Sequence, residues 1–163
     1  MEKPLLSPEG TITPTDISVV RIARKRGLPK NFPDLCEAAQ VPDLKKFLRD
    51  VHSSMLLAYG KCPDFIGKVD TRLECIGVLM LEKRRDVFFI AGILSPEHVD
   101  PRCVWDPLIR YATTIAPMQN VRSVQAYLRD GDGFYRSILR DCGFDLRPVA
   151  ENLLKGTWMA SQK

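Results

Sequence analysis

Val87 to Glu97 reads VFFIAGILSPE: eight uncharged residues, nearly all apolar, closed by Ser95, Pro96 and Glu97. A strand with one wet face alternates apolar and polar residues. An unbroken apolar run this short predicts instead a strand buried on both faces, in the middle of a sheet. Upstream, Leu73 to Leu81 (LECIGVLML) is nearly as apolar, and Glu82 to Asp86 (EKRRD) between them is a charged connector of hairpin length. The two runs therefore read as antiparallel central strands, and the rest of the chain is placed around them.

Downstream, Ser95 to Arg102 reads as a loop and Val104 to Ile115 as a helix, with Pro107 near its first turn, where proline is tolerated. Val121 to Leu128 (VRSVQAYL) alternates well enough for a strand. Asp130, Gly131, Asp132 and Gly133 break it and offer a cap for a helix from Phe134 to about Asp141, which Cys142 and Gly143 end. Phe144 to Met159 supplies one or two final strands.

Upstream, Ile17 to Ile22 (ISVVRI) is short and β-branched, as strands are. Gly27, Pro29 and Pro33 impose a loop, and a short helix can follow Pro33. A longer helix is expected from Pro42 and Asp43, where proline suits the first helical position and an acid suits the positive end of the helix dipole. Leu44, Phe47, Leu48, Val51, Met55 and Leu56 recur along it at helical spacing up to Gly60, with His52 on its surface. Residues 1–15, with Pro4, Pro8, Gly10 and Pro14 among Ser and Thr, read as a flexible lead, and 16–163 as one domain.

The composition agrees with that division. At 163 residues the chain suits one core rather than two, and 45% hydrophobic against 27% charged residues is the balance of an ordinary globular domain. The net charge of +4 is mild. Its one basic cluster, Arg21, Arg24, Lys25, Arg26 and Lys30, lacks the interleaved aromatics of a nucleic-acid surface and reads as a solvated arm. Five cysteines without a C-x-x-C pair support neither a disulfide framework nor a zinc site, and two histidines are too few for a histidine-rich metal centre. No Walker loop, G-x-S-x-G elbow or H-E-x-x-H motif occurs. With no signal-peptide core and no bilayer-length apolar run, a cytoplasmic protein with reduced thiols is expected.

The order strand, helices, antiparallel strands, helix, strand, helix, strand resembles the GCN5-related N-acetyltransferase (GNAT) fold. Three segments carry the resemblance over roughly residues 73–160. FFIAGILSPE, Phe88 to Glu97, is similar to the family's fourth strand with its hydrophobic-Pro-Glu exit. Phe134 and Tyr135 followed by Cys142, Gly143 and Phe144 are similar to its "FY…GF" helix. ENLLKGTWM is similar to its last strand. The resemblance implies an α+β architecture: a mixed, mostly antiparallel central sheet with helices on both faces.

It also implies a function, an N-acyltransferase that moves an acetyl group from acetyl-CoA to a small-molecule or protein amine. In the family the fourth and fifth strands splay apart, so unpaired backbone groups of the fourth can bond the pantetheine amides. Gly92, Ile93 and Leu94 match that strand here, with Arg102 and Val104 at the start of the next helix as further cofactor contacts. Tyr135 matches the phenol that protonates the departing thiolate. Glu97 and His98, just past the strand, are the candidate bases, His98 being the easier chemically because imidazole titrates near neutral pH; Glu74 and Glu82 are more remote candidates.

One departure stands out. The family's pyrophosphate loop follows Gln/Arg-x-x-Gly-x-Gly/Ala, whereas HVDPRCVWDPL contains no glycine and carries Asp100, Asp106, Pro101 and Pro107. Coenzyme A is therefore expected to bind more weakly than on a glycine loop. A catalytically silent GNAT-like domain that binds a protein partner is the alternative, and a homodimer remains open.

Overall fold

The hairpin expected from the two central apolar runs is present and tighter than the connector suggested. In the computed structural model, which describes residues 13–22, 53–62, 74–96 and 99–160, β3 (Glu74–Arg84) runs on through Glu82 and Lys83, which pair with Phe89 and Phe88 of β4 (Val87–Leu94). Only Arg85 and Asp86 remain for the turn, and Arg85 adopts the left-handed backbone, φ 56°, that two-residue hairpins favour.

Around this hairpin lie β1 (Thr15–Ile22), β2 (Ser53–Lys61), β5 (Ser123–Arg129), β6 (Asp145–Ala150) and β7 (Leu153–Met159). Two helices, α1 (Pro101–Ile115) and α2 (Gly133–Asp141), complete the regular structure of the described residues with a 3-10 turn at Pro117–Gln119. The sheet order is β1-β2-β3-β4-β5-β7-β6. Every junction is antiparallel except β4 with β5. This is the mixed, mostly antiparallel sheet the sequence implied. Both described helices pack on one face; any helix between Pro33 and His52 lies outside the described residues.

Met55 to Gly60, expected as the end of a helix, is strand instead. Ser53 to Ala58 is buried throughout, with Leu56 and Ala58 in the core under the helices and Met55 and Leu57 in a smaller cluster on the opposite face. A segment that is apolar on both faces satisfies helical and strand periods alike, so spacing could not separate them. Pairing with β1 on one side and β3 on the other decides the matter.

Helix α1 begins at Pro101 rather than Val104, so Pro107 falls inside it. Val104, Leu108, Ile109, Ala112 and Ile115 form its buried stripe against β2 and β3. The approach is close: a Cβ built on Gly77 would run into the Cγ1 of Val104. Helix α2 is capped by Asp132, whose carboxylate accepts from the backbone N–H of Tyr135 at 3.1 Å. It closes as the sequence suggested, with Gly143 at φ 89° and the Phe144 N–H returning to the Leu139 carbonyl at 2.9 Å. Among the described residues no helix is long and apolar enough to cross a membrane.

Candidate active site

Strand β4 sits mid-sheet as expected, yet it is not buried on both faces: Phe88 and Leu94 are buried, the others half-buried, and Ala91 is exposed. The reason lies in its two neighbours. Against β5 it pairs only through Val87, Phe88 and Phe89, opposite Ser123, Val124 and Gln125. Against β3 it stays paired to Leu94, with a bulge: Leu81 faces Ile90 and Met80 faces Gly92, which leaves Ala91 as the extra residue. A bulge bends its strand and increases the local twist. Here the bend begins just past the last β4–β5 pair, so the two parallel strands part. Among the described residues, Ile90 to Leu94 then have no strand on their β5 side.

The parting strands open toward their carboxyl ends, the end at which ligands enter parallel sheets. Both described helices start there, α1 seven residues beyond Leu94 and α2 four beyond Arg129. Three aromatics join them across the opening. The indole of Trp105 stands edge-on to Phe134 (centroids 5.2 Å apart, 66°) and to Tyr135 (5.5 Å, 78°). Its N–H donates to the Ser95 hydroxyl at 3.1 Å, tying the pair to the end of β4. The Tyr135 oxygen has no hydrogen-bond partner among the described residues, and burial pushes the phenol upward from its ordinary value of 10, with Asp132 adding to the rise. It is a protonated donor at any physiological pH.

The other expected site residues divide. Gly92 and Ile93 lie on the unpaired edge, half-buried. The Leu94 side chain is buried in the cluster on the other face, so only its backbone reaches the edge. Arg102 is exposed on the first turn of α1. Val104 is fully buried against Gly77, a core side chain rather than a ligand contact. Glu97 and His98 lie outside the described residues. Glu82 stands at the hairpin end of β3, away from the opening, in an ion pair with Arg84 at 3.4 Å, whereas Glu74 is exposed at the other end of that strand. Asp106 does not face α1's start; it bonds Arg110 at 2.7 Å and accepts from the Cys142 thiol at 3.7 Å. Arg21, read as part of a solvated arm, reaches the Ser54 hydroxyl (3.4 Å) and lies over the Phe88 ring (5.9 Å), while Arg24 to Lys30 fall outside the described residues.

Ser95 and Trp105 went unnoticed in the sequence. A tryptophan amid Asp100, Asp106 and two prolines was the available signal, since a large aromatic in so polar a stretch needs a partner.

Coenzyme A fits this opening in part. The free edge of β4 suits the amides of a pantetheine arm, because extended backbone groups without a strand partner accept another extended chain. The start of α1 does not suit a diphosphate. Pro101 has no N–H, the Arg102 N–H donates to Asp100 Oδ1 at 3.1 Å, and the Cys103 N–H to the Asp100 carbonyl at 3.2 Å. The donors of the first turn that would meet an anion are already taken.

No protein-family model and no curated protein matches this chain. Solved structures do. An acetyltransferase of the GNAT family from Elizabethkingia anophelis, with acetyl-CoA bound, superposes at a TM-score of 0.65 with 14% identity over 90% of this chain and 99% of its own. The IAA acetyltransferase of Bacillus cereus gives 0.64 at 16% identity, covering 88% and 99%. A Bacillus subtilis acetyltransferase in complex with CoA gives 0.59 at 13%, covering 89% and 99%. At such identities the likeness is one of fold, and with the parted parallel strands of the sheet it leads to one conclusion: this chain has the fold of the GCN5-related N-acetyltransferases.

Proposed function

We propose that this protein is an N-acyltransferase, taking its acyl group from a pantetheine thioester such as acetyl-CoA and passing it to an amine. The observation that carries the reading is the edge of β4 from Ile90 to Leu94, free on its β5 side and joined through Ser95 and Trp105 to the unspent phenol of Tyr135. An extended arm laid on that edge would bring its thioester toward α2. The amine attacks the thioester carbonyl, a C–N bond forms, the C–S bond breaks, and the thiolate leaves. Tyr135 supplies the proton to that thiolate; His98 or Glu97 takes one from the amine. Structurally similar acetyltransferases, one with acetyl-CoA bound and one in complex with CoA, support the donor class.

A second reading, a silent GNAT-like module for a protein partner, is favoured by the occupied start of α1. Titration with acetyl-CoA separates the two. A ligand that binds only the native state raises the melting temperature, increasingly with the logarithm of its concentration relative to Kd. Heat of binding, a rise in Tm and release of free thiol in the presence of a screened amine are expected. No heat and no shift at millimolar acetyl-CoA would leave only the module.

A further inference from the structure

We propose that the donor is recognised through its pantetheine arm alone, so that the adenosine diphosphate half of coenzyme A adds nothing to affinity. The inference rests on the acyltransferase reading and goes beyond it, because it names which part of the donor the protein holds.

A diphosphate is normally held by backbone N–H groups at a helix start, where the dipole also favours negative charge. Here the protein's own carboxylate occupies that position. Asp100 Oδ1 takes the Arg102 N–H (3.1 Å), Asp100 Oδ2 takes the Cys103 thiol (3.7 Å), and Pro101 contributes no donor. Both carboxylate oxygens are thus engaged within the helix start, and a phosphate placed there would meet a fixed negative charge instead of free donors. Burial pushes the Cys103 thiol upward, and the Asp100 charge beside it adds to the rise.

The second helix at the opening offers no substitute. Asp132 takes the Tyr135 N–H and the Gly133 N–H returns to the Gly131 carbonyl at 3.1 Å. The cation of its first turn, Arg136, is paired with Asp130 at 3.2 Å. Of the cations in the first turns of the two helices Arg102 is left, exposed and without an ion-pair partner among the described residues, and one exposed ion contact changes affinity by at most about fivefold. The β4 edge, by contrast, has no strand partner on its β5 side over Ile90 to Leu94 among the described residues.

The test is calorimetry on the full chain with three probes: CoA, pantetheine and adenosine 3′,5′-bisphosphate. Dissociation constants for CoA and pantetheine within about threefold of each other, and no heat with the bisphosphate, are expected. CoA binding more than about tenfold tighter than pantetheine would overturn the inference while leaving the acyltransferase reading standing; if Arg102→Ala then abolished the difference, that arginine would be the phosphate contact. Absence of heat with both CoA and pantetheine would overturn both. As a gain-of-binding arm, Asp100→Gly keeps a residue tolerated at an N-cap while removing the carboxylate. It should tip the ratio toward CoA by about tenfold, the worth of one charge-assisted hydrogen bond; parity in that variant would also count against Asp100 as the group that excludes the diphosphate.

Discussion

Replacing Tyr135 with Phe keeps the ring that meets Trp105 edge-on and removes only the proton donor. Turnover with a screened amine should fall by about 100-fold or more, the usual contribution of a general acid, with donor affinity nearly unchanged. Parental turnover in Tyr135→Phe would make the residue a packing aromatic. The pH profile offers a second check. The neutral phenol is the active form, and because burial raises its ionisation above 10, activity lost through Tyr135 appears only on the alkaline side of that value. Parent and variant should therefore show parallel profiles between pH 6 and pH 9; an alkaline limb within that window, present only in the parent, would contradict the assignment. Tyr135 could be singled out from the aromatic pair ahead of Gly143. Its neighbour Trp105 could not, because the two lie thirty residues apart and meet only when α1 and α2 pack.

At the scale of elements, the junction of α1 with the sheet depends on one missing side chain. Gly77→Ala would place a methyl against Val104, fully buried in the same core, and overpacking of this kind costs about 1–3 kcal/mol. Val104→Ala in the same chain should relieve the clash, so the double variant will lose less stability in urea than the two single losses added together; strict additivity would show that the two do not touch. The α2 cap is simpler. Asp132→Ala removes the acceptor of the Tyr135 N–H and should cost about 1 kcal/mol, a fall of about 2–4 °C in Tm for a chain of this size. Caps and helix ends were legible because they are written in two to four adjacent residues. The strand over Met55 to Gly60 was not, because burial on both faces erased the periodicity that distinguishes strand from helix.

Across the whole molecule, two buried thiols link stability to alkaline pH. Burial pushes Cys75 up to about 11 and Cys142 up to about 12, from an ordinary 9.0, with Asp106 adding to the second. In the unfolded chain both ionise near pH 9; in the folded chain they stay protonated. The unfolded state therefore binds fewer protons above pH 9, and stability contributed by these thiols is full below that value and declines as pH rises toward 11 and 12. The unfolding free energy read from urea titrations should fall between pH 8.5 and pH 10.5, by on the order of 1 kcal/mol for Cys75 and less for the more solvent-screened Cys142, and Cys75→Ala with Cys142→Ala should flatten the slope. An equal slope in parent and double variant would assign the decline to other groups.

What the sequence determined by itself was local. The apolar run of Val87 to Leu94, the charged turn beside it, the Asp132 cap and the Gly143 stop each follow from propensities and periods that act over a few residues, and their order was enough to indicate the fold. The tertiary structure alone decided where the strands part. At the Ala91 bulge β4 shifts register by one residue yet stays paired with β3 on one side, and just before it the strand leaves β5 on the other, a difference between two pairings that no single segment contains. It likewise sent Val104 into the core and brought Ser95, Trp105 and Tyr135 into one line of contact, since helix packing over Gly77 sets which face of α1 turns inward.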